Sequence, residues 1–394
     1  MTGTLTVQPT IPPANQPPEI TWSSTIAWDQ DLPNMGNKLH TVCSYMAMFP
    51  PSIPNYFVQR YSQLGDTVLD PFSGRGTAPL EACCLGRIGI GNDRNPLAYV
   101  LTFAKTNTPS KGRILKRLEK LEQSFKEEAW NVTAEDWRIQ MIFHDRTLKQ
   151  LLHLRRELDW GTSNVDAFIA AMVVGIIHGN SPGYLSLRMP NTFSMSPNYV
   201  KGYISKHKLE KPDRDAFALL RRKLERCYQD PETKGRAFFR DARRITPLKE
   251  GVVDLVVTSP PYTRVIRYGA FNWIRLWFLG EDPKDIDAKL LCTHSLGRYL
   301  AFMTEFLQEM KRVVKPGGHV VLVIGDVRDK NTGIDLNLAG EVWRQSAFPL
   351  GYELAEAIQD GFDQETKVSR IWGEVKRGRA TKTDRILVLK RAAS

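Results

Sequence analysis

The chain has 394 residues, 42% of them hydrophobic and 25% charged, with 54 Lys or Arg against 43 Asp or Glu. That composition excludes a wholly disordered chain, a collagen-like fibre and a disulfide scaffold. The formal net charge of +11 favours a polyanionic partner.

The start at Met1 lacks a basic-then-apolar pattern, so no secretory signal is expected. Residues 1–20 are rich in Thr and Pro and are expected to form a flexible arm. The first strand is predicted over Thr67–Asp70 (TVLD), followed by the turn FSGRG and a helix over Thr77–Leu85. A second strand follows at Ile88–Asn92. Strand, glycine turn, helix and strand in this order predict a parallel sheet with a crossover helix.

From Lys111 to about Gly235 the apolar residues recur at helical spacing, for example Leu115, Leu118, Leu121 and Phe125. Val165–Ile177, one of the longest apolar runs, falls short of the ~20 residues a membrane span needs. Residues 179–203 are rich in Pro, Ser, Asn and aromatics, and read as a long irregular loop. The stretch Lys201–Arg244 holds 14 basic against seven acidic residues. That reads equally as a solvated helical face or as a nucleic-acid face.

Strands return at Ala237–Phe239 and Val252–Thr258. A helix is expected over Tyr299–Val314, a KPGG turn at Lys315–Gly318 and a strand at His319–Ile324. A helix over Leu336–Ser346 and strands at Tyr352–Ile358 and Arg385–Lys390 complete the pattern. The fold expected is α/β: a Rossmann-like doubly wound sheet over residues 21–110 and 236–394, interrupted by a mostly helical insert over 111–235. The five Cys form no CxxC pair, which fits a reduced cytoplasmic protein without a structural metal.

Two motifs carry chemistry. The first is DPFSGRGT, Asp70–Thr77. Two glycines at a strand-to-helix turn let backbone N–H groups approach a nucleotide-like ligand at the carboxyl edge of a parallel sheet. A third glycine is missing, so it is not the dinucleotide fingerprint. No Gly-Lys-Ser/Thr follows, so it is not a phosphate loop. An acid after the next strand, Asp93, can accept hydrogen bonds from ribose hydroxyls. The second motif is TSPPY, Thr258–Tyr262, directly after VVDLVV. Pro260 and Pro261 stiffen the backbone and remove two N–H donors. Exposed carbonyls, a hydroxyl and an aromatic ring remain, which suit a planar ligand bearing an exocyclic amine.

Together, DPFSGRGT and TSPPY resemble the motifs of the S-adenosylmethionine-dependent DNA amino-methyltransferases, which act on cytosine N4 or adenine N6. The segments HTVCSYMAMFPPSIPNYFVQRYSQLGD, GRIGIGNDRNPLA and FFRDAR are similar to that family's other cofactor motifs. The resemblance spans roughly residues 38–105 and 236–325, with a matching strand near 385–390. It implies a methyltransferase domain in the two flanking segments, with the insert as a target-recognition region.

Residue by residue, it implies that Asp70, Pro71, Phe72, Gly74, Gly76 and Thr77 cradle the methionine part of S-adenosylmethionine. Asp93 would bind the ribose hydroxyls, and Asp241 would accept from the adenine amino group. Ser259, Pro260, Pro261 and Tyr262 would hold the target base. A Ser before Pro-Pro-Tyr resembles the cytosine-N4 enzymes. Adenine N6, or a base amine of RNA, is the alternative on the same scaffold.

The chemistry expected is in-line methyl transfer to an amine held by the Ser259 hydroxyl and the Pro260 carbonyl. It needs no covalent enzyme intermediate, and Cys83 and Cys84, in a predicted helix, read as small core residues. A duplex base would be flipped out and stacked on Tyr262, a contact worth ~1–3 kcal/mol. Tyr268 is a further lining residue, whereas Trp277 and Phe278 read as core. Arg188, Asn191, Lys201 and Lys206 are the candidate DNA contacts in the insert, with the basic run Lys376–Lys382 as a second region. The implied partner is double-stranded DNA, with a cognate restriction endonuclease if the enzyme belongs to a restriction-modification pair and none if it acts alone. The expected setting is cytoplasmic and nucleoid-associated, with no membrane and no metal; oligomeric state stays open.

Overall fold

The computed structural model describes residues 16–23, 36–46, 50–189, 191, 194–261, 267–291, 293–328, 335–361, 368–371, 374–377 and 383–393. The main sheet uses β1 (Thr67–Asp70), β2 (Ile88–Asn92), β3 (Arg236–Phe238), β4 (Val253–Thr258), β5 (Val314–Gly325), β6 (Tyr352–Gly361) and β7 (Thr383–Arg391). Their order is β3-β2-β1-β4-β5-β7-β6. The first five are parallel, and β7 runs antiparallel between β5 and β6. β1 therefore lies between β2 and β4, where the chain direction across the sheet reverses. That switch point is where an open parallel sheet forms its ligand crevice.

The strand runs explain the layers. Val68, Leu255, Val257, Val321 and Val323 point to one face, under α1 (Ser52–Tyr61) and α2 (Thr77–Cys84). Leu69, Val256, Val320 and Leu322 point to the other. There the later helix over Leu296–Val313 and the turn over Leu338–Ala347 cover them. Alternation of near-continuous apolar runs buried on both faces is what a parallel sheet requires. Helix α2 ends at Gly86 in the left-handed region (φ 77°), with Arg87 N–H bonded to the Ala82 carbonyl and Gly86 N–H to that of Cys83.

Between β2 and β3 lie α3 (Pro96–Thr106), α4 (Lys111–Ser124), α5 (Trp137–Gln140), α6 (Asp145–Glu157), α7 (Asn164–Ile176), α8 (Pro197–His207) and α9 (Ala216–Cys227). Helix α7 is buried on every side, as its apolar run requires. It packs in one continuous core with α3, α4, α6, α9 and residues 273–279. The insert thus shares its core with the sheet domain's own third helix and does not close on itself.

After β4 come α10 (Tyr268–Phe271), α11 (Trp273–Leu279), α12 (Pro283–Lys289), α13 (Leu296–Val313) and α14 (Leu338–Val342), the last continuing through one π-helical turn to Ala347. Among the described residues, no helix is long and apolar enough to cross a membrane.

Several expectations need correction. Residues 197–207 are helical rather than irregular: the Ser196 hydroxyl accepts from Tyr199 N–H and Pro197 takes the first helical position, a start signal hidden in a polar stretch. Helix α13 starts at Leu296, three residues early, because Ser295 caps it. The KPGG segment lies inside β5 as an irregularity, where Val253 pairs with Val314 and Leu255 with His319. The arm is not free throughout. Trp343 Nε1 donates to the Pro18 carbonyl at 3.4 Å, Ile20 and Trp22 pack on the core, and Ser23 pairs with β6. A docked segment on the edge strand blocks edge-to-edge pairing.

Candidate functional site

The two motifs meet at one point. Asp70 ends β1 and Thr258 ends the adjacent β4, and the Thr258 hydroxyl donates to Asp70 Oδ1 at 2.6 Å. Asp70 also accepts from Phe72 N–H at 3.1 Å, which starts the turn. Burial of this side chain (2% exposed) pushes its carboxyl up to about 7, against the pull of those two donors.

The turn that follows needs glycine twice. Gly74 has φ 50° and Gly76 φ 76°. A Cβ at Gly74 would stand 3.4 Å from the Tyr45 ring, and one at Gly76 2.9 Å from Thr102 Oγ1. Gly74 lets the backbone face the cleft, whereas Gly76 lets α3 approach. Gly74 N–H donates to Asp93 Oδ2 and Asn95 N–H to Asp93 Oδ1, both at 2.9 Å. Asp93 therefore ties the glycine turn to the end of β2. Burial pushes its carboxyl up to about 6, against the backbone donors of Asn95, Gly74 and Arg94. Asn92 completes the frame, donating from Nδ2 to the carbonyls of Pro71 and Arg240.

These segments enclose a cleft of about 330 Å³, within the range of about 300–1,000 Å³ typical of small-molecule sites. Asp70, Pro71, Phe72, Gly74, Thr77, Asp93 and Asp241 line it, together with Ser259, Pro260 and Pro261. Gly76 is not on the wall; it sits behind the turn. Tyr262 lies outside the described residues. Tyr268 lines the cleft and stacks on Tyr45, with centroids 6.0 Å apart and planes at 24°. Phe278 is buried, and Trp277, half-buried, stacks on Phe143 and donates to Glu135. Cys83 and Cys84 lie in α2; burial pushes their thiols up to about 11 and about 12, away from nucleophile behaviour.

Asp241 is more engaged than the motif alone indicates. Its Oδ1 accepts from the backbone N–H and Nε of Arg243, and its Oδ2 accepts from Arg243 Nη2 and Arg94 Nη1, all at 2.9–3.0 Å. The Arg243 guanidinium beside it holds its carboxyl below the usual range. A ligand amine at Asp241 has to displace one of these donors. Arg243 was readable two positions away. Arg94, next to Asp93, and Tyr45, in the segment before β1, also line the cleft, as do Lys289 and Phe302 from distant segments.

Arg188, Lys201 and Lys206 are exposed and Asn191 is half-buried; none of the four lines the cleft. Lys201 Nζ lies 5.8 Å from the centre of the Trp137 ring, which is 51% exposed. The segment before α8 is fastened to the helices beside the cleft: Ser194 N–H donates to the Phe271 carbonyl and Trp273 Nε1 to that of Met195. In the second basic region, Val368–Ile371 pairs with Glu374–Arg377, and residues 378–382 lie outside the described residues.

A family model described as DNA methylase matches residues 11–105 and 253–372, more than half of the chain and the two stretches on either side of the insert. The chain is 31% identical over 67 residues to the type II methyltransferase M.MjaII of Methanocaldococcus jannaschii, covering 17% of this chain and 13% of that protein. It is 36% identical over 103 residues to the type II methyltransferase M.MthZI of Methanothermobacter thermautotrophicus, covering 25% of this chain and 27% of that one. The matches thus span about a quarter or less of these curated relatives. Among solved structures, a SAM-dependent methyltransferase of Methanosarcina mazei is 10% identical, covers 86% of this chain and 98% of its own, and superposes with a TM-score of 0.35.

Proposed function

The chain belongs to the DNA methylase family, and from that premise we propose that it is a DNA amino-methyltransferase using S-adenosylmethionine on the N4 of a flipped-out cytosine. One observation carries the reading: the glycine turn and the Ser-Pro-Pro segment, 183 or more residues apart in sequence, line one cleft and are joined by the Thr258–Asp70 hydrogen bond.

The residues present fit the donor. Gly74 offers backbone without a side chain in the way, and Asp93, a cleft carboxylate at the end of β2, would accept from the ribose hydroxyls. Asp70, Pro71, Phe72 and Thr77 line the part assigned to the methionine tail, with Gly76 shaping the turn behind them. Asp241 takes the adenine amino group in exchange for an arginine donor. When bound, S-adenosylmethionine supplies an electrophilic sulfonium methyl.

The chain supplies positioning. The amine of a base is a weak nucleophile because its lone pair is delocalised into the ring. The Ser259 hydroxyl and the Pro260 carbonyl accept its hydrogens and favour a pyramidal nitrogen, which directs the lone pair at the methyl. Because Pro261 has no N–H, no backbone donor of its own competes beside that carbonyl. The Tyr45–Tyr268 pair provides aromatic surface for an extruded ring, whose stacking is worth ~1–3 kcal/mol; the family motif would give Tyr262 the same task. The exposed Lys201 and Lys206 of α8, and Arg188 before it, are the proposed contacts to double-stranded DNA.

Ser at the first position of the Ser-Pro-Pro segment supports cytosine over adenine. The test is digestion of methylated DNA to nucleosides with mass spectrometry. N4-methylcytosine is expected; N6-methyladenine without it would overturn the base assignment, and no methylated nucleoside would overturn the activity.

A further inference from the structure

The cleft wall carries both signs of charge. Asp70 and Asp93 face it from the ends of β1 and β2. Four cations line it as well: Arg94 and Arg243 bond Asp241, Lys289 is exposed, and Arg75 sits between the two turn glycines, where neither the family motif nor the sequence pattern gives it a task. Arg75 lines the cleft yet is only 4% exposed. Its Nε donates to Thr77 Oγ1 at 3.1 Å and its Nη1 to the His40 carbonyl at 3.2 Å. Both acceptors are neutral, and no carboxylate pairs with the guanidinium among the described residues. A buried charge with no counter-charge is expensive to keep.

The surroundings add to the deficit of negative charge. Lys105 of α3 is fully buried and donates Nζ to the Arg75 carbonyl at 2.6 Å. Helix α2 starts directly after Gly76 with no side chain capping it, so the positive end of its dipole faces the same region. Burial pushes both Arg75 and Lys105 below their usual ranges, Arg75 acting on Lys105 as a second cause. An anion at this place would pair the guanidinium and satisfy the helix start.

We propose that Arg75 is the carboxylate-binding residue of this cleft, holding the amino-acid tail of the methyl donor and so fixing which way along the cleft the donor lies. The proposal rests on the reading that the cleft takes S-adenosylmethionine. A carboxylate fits better than a phosphate because Asp70 and Asp93 share the wall: a zwitterionic tail matches a surface of mixed sign, whereas a dianion is repelled by it. Arg75 is a binding residue and touches no reacting atom.

The test uses calorimetry on the full chain with three probes: S-adenosylmethionine, its decarboxylated form, which keeps the sulfonium and the ammonium, and 5′-methylthioadenosine, which lacks the whole tail. A lost charge-assisted bond predicts that the wild type prefers the carboxylated donor by about tenfold to a hundredfold. Arg75→Gln should bring the two donors to within about threefold of each other while binding methylthioadenosine as the wild type does. Arg75→Lys, which keeps the charge without the fork, should fall in between.

The proposal is overturned if the wild type shows no preference, or if either variant that still binds methylthioadenosine keeps the full preference. If the wild type binds none of the three, the cofactor reading itself is wrong and the subsite falls with it. Binding of all three at equal strength would remove the subsite alone.

Discussion

Asp70→Asn separates what stabilises this chain from what its cleft requires. In the folded chain burial raises the Asp70 carboxyl to about 7, against an ordinary value of 3.8. Between those values the folded chain holds a proton that the unfolded chain has lost. Stability from this group is therefore fully present below about pH 4 and declines as pH rises through about 7. Three pK units correspond to about 4 kcal/mol at most, at about 1.4 kcal/mol per unit. The asparagine oxygen can accept the same two bonds, from Thr258 and from Phe72 N–H, so the variant avoids the cost of a buried charge.

For a chain of this length about 4 kcal/mol is worth roughly 4–5 °C in melting temperature. Thermal unfolding of both proteins across the pH range should show Asp70→Asn ahead by about that much in mild alkali and level with the wild type near pH 4. The same variant should bind the donor poorly, because the lost charge faces the cleft. A melting difference independent of pH would refute the reasoning, since it would mean that Asp70 titrates alike in both states.

Two further outcomes follow from the turn. Gly76→Ala forces a side chain into positive φ and within 2.9 Å of Thr102 Oγ1 and 3.0 Å of its Cα; a loss of roughly 2–4 kcal/mol is expected in chemical denaturation. Asp93→Ala removes the acceptor for Gly74 N–H and Asn95 N–H together, and should weaken donor binding about tenfold or more by calorimetry, with a smaller loss of stability.

The parts of the fold that were legible in the sequence are those written in local chemistry. The glycines of FSGRG mark a turn wherever they occur, and two consecutive prolines after VVDLVV end a strand. The parallel pairing of β1 with β2 follows from the helix between them, whereas the order of the remaining strands had no local signal. What stayed hidden depends on distant partners. Nothing near Tyr45 announces that its ring covers Gly74 and stacks on Tyr268, 223 residues on. Arg94 reaches Asp241 across 147 residues. Helix α8 was obscured because its Pro and Ser, which read as loop formers, occupy the cap and first-turn positions where those residues start helices. Arg75 stands at a variable position of the family's glycine turn, so the motif gave it no role; its burial comes from packing against the segment at His40.

The central claim is that one cleft both holds the donor and activates the amine. Single-turnover methyl transfer to duplex DNA by Ser259→Ala tests it most directly, with donor affinity measured on the same protein. The account predicts unchanged donor affinity and a rate lower by about a hundredfold, the scale of losing one group that acts only in the transition state. Full-rate transfer by Ser259→Ala would contradict it.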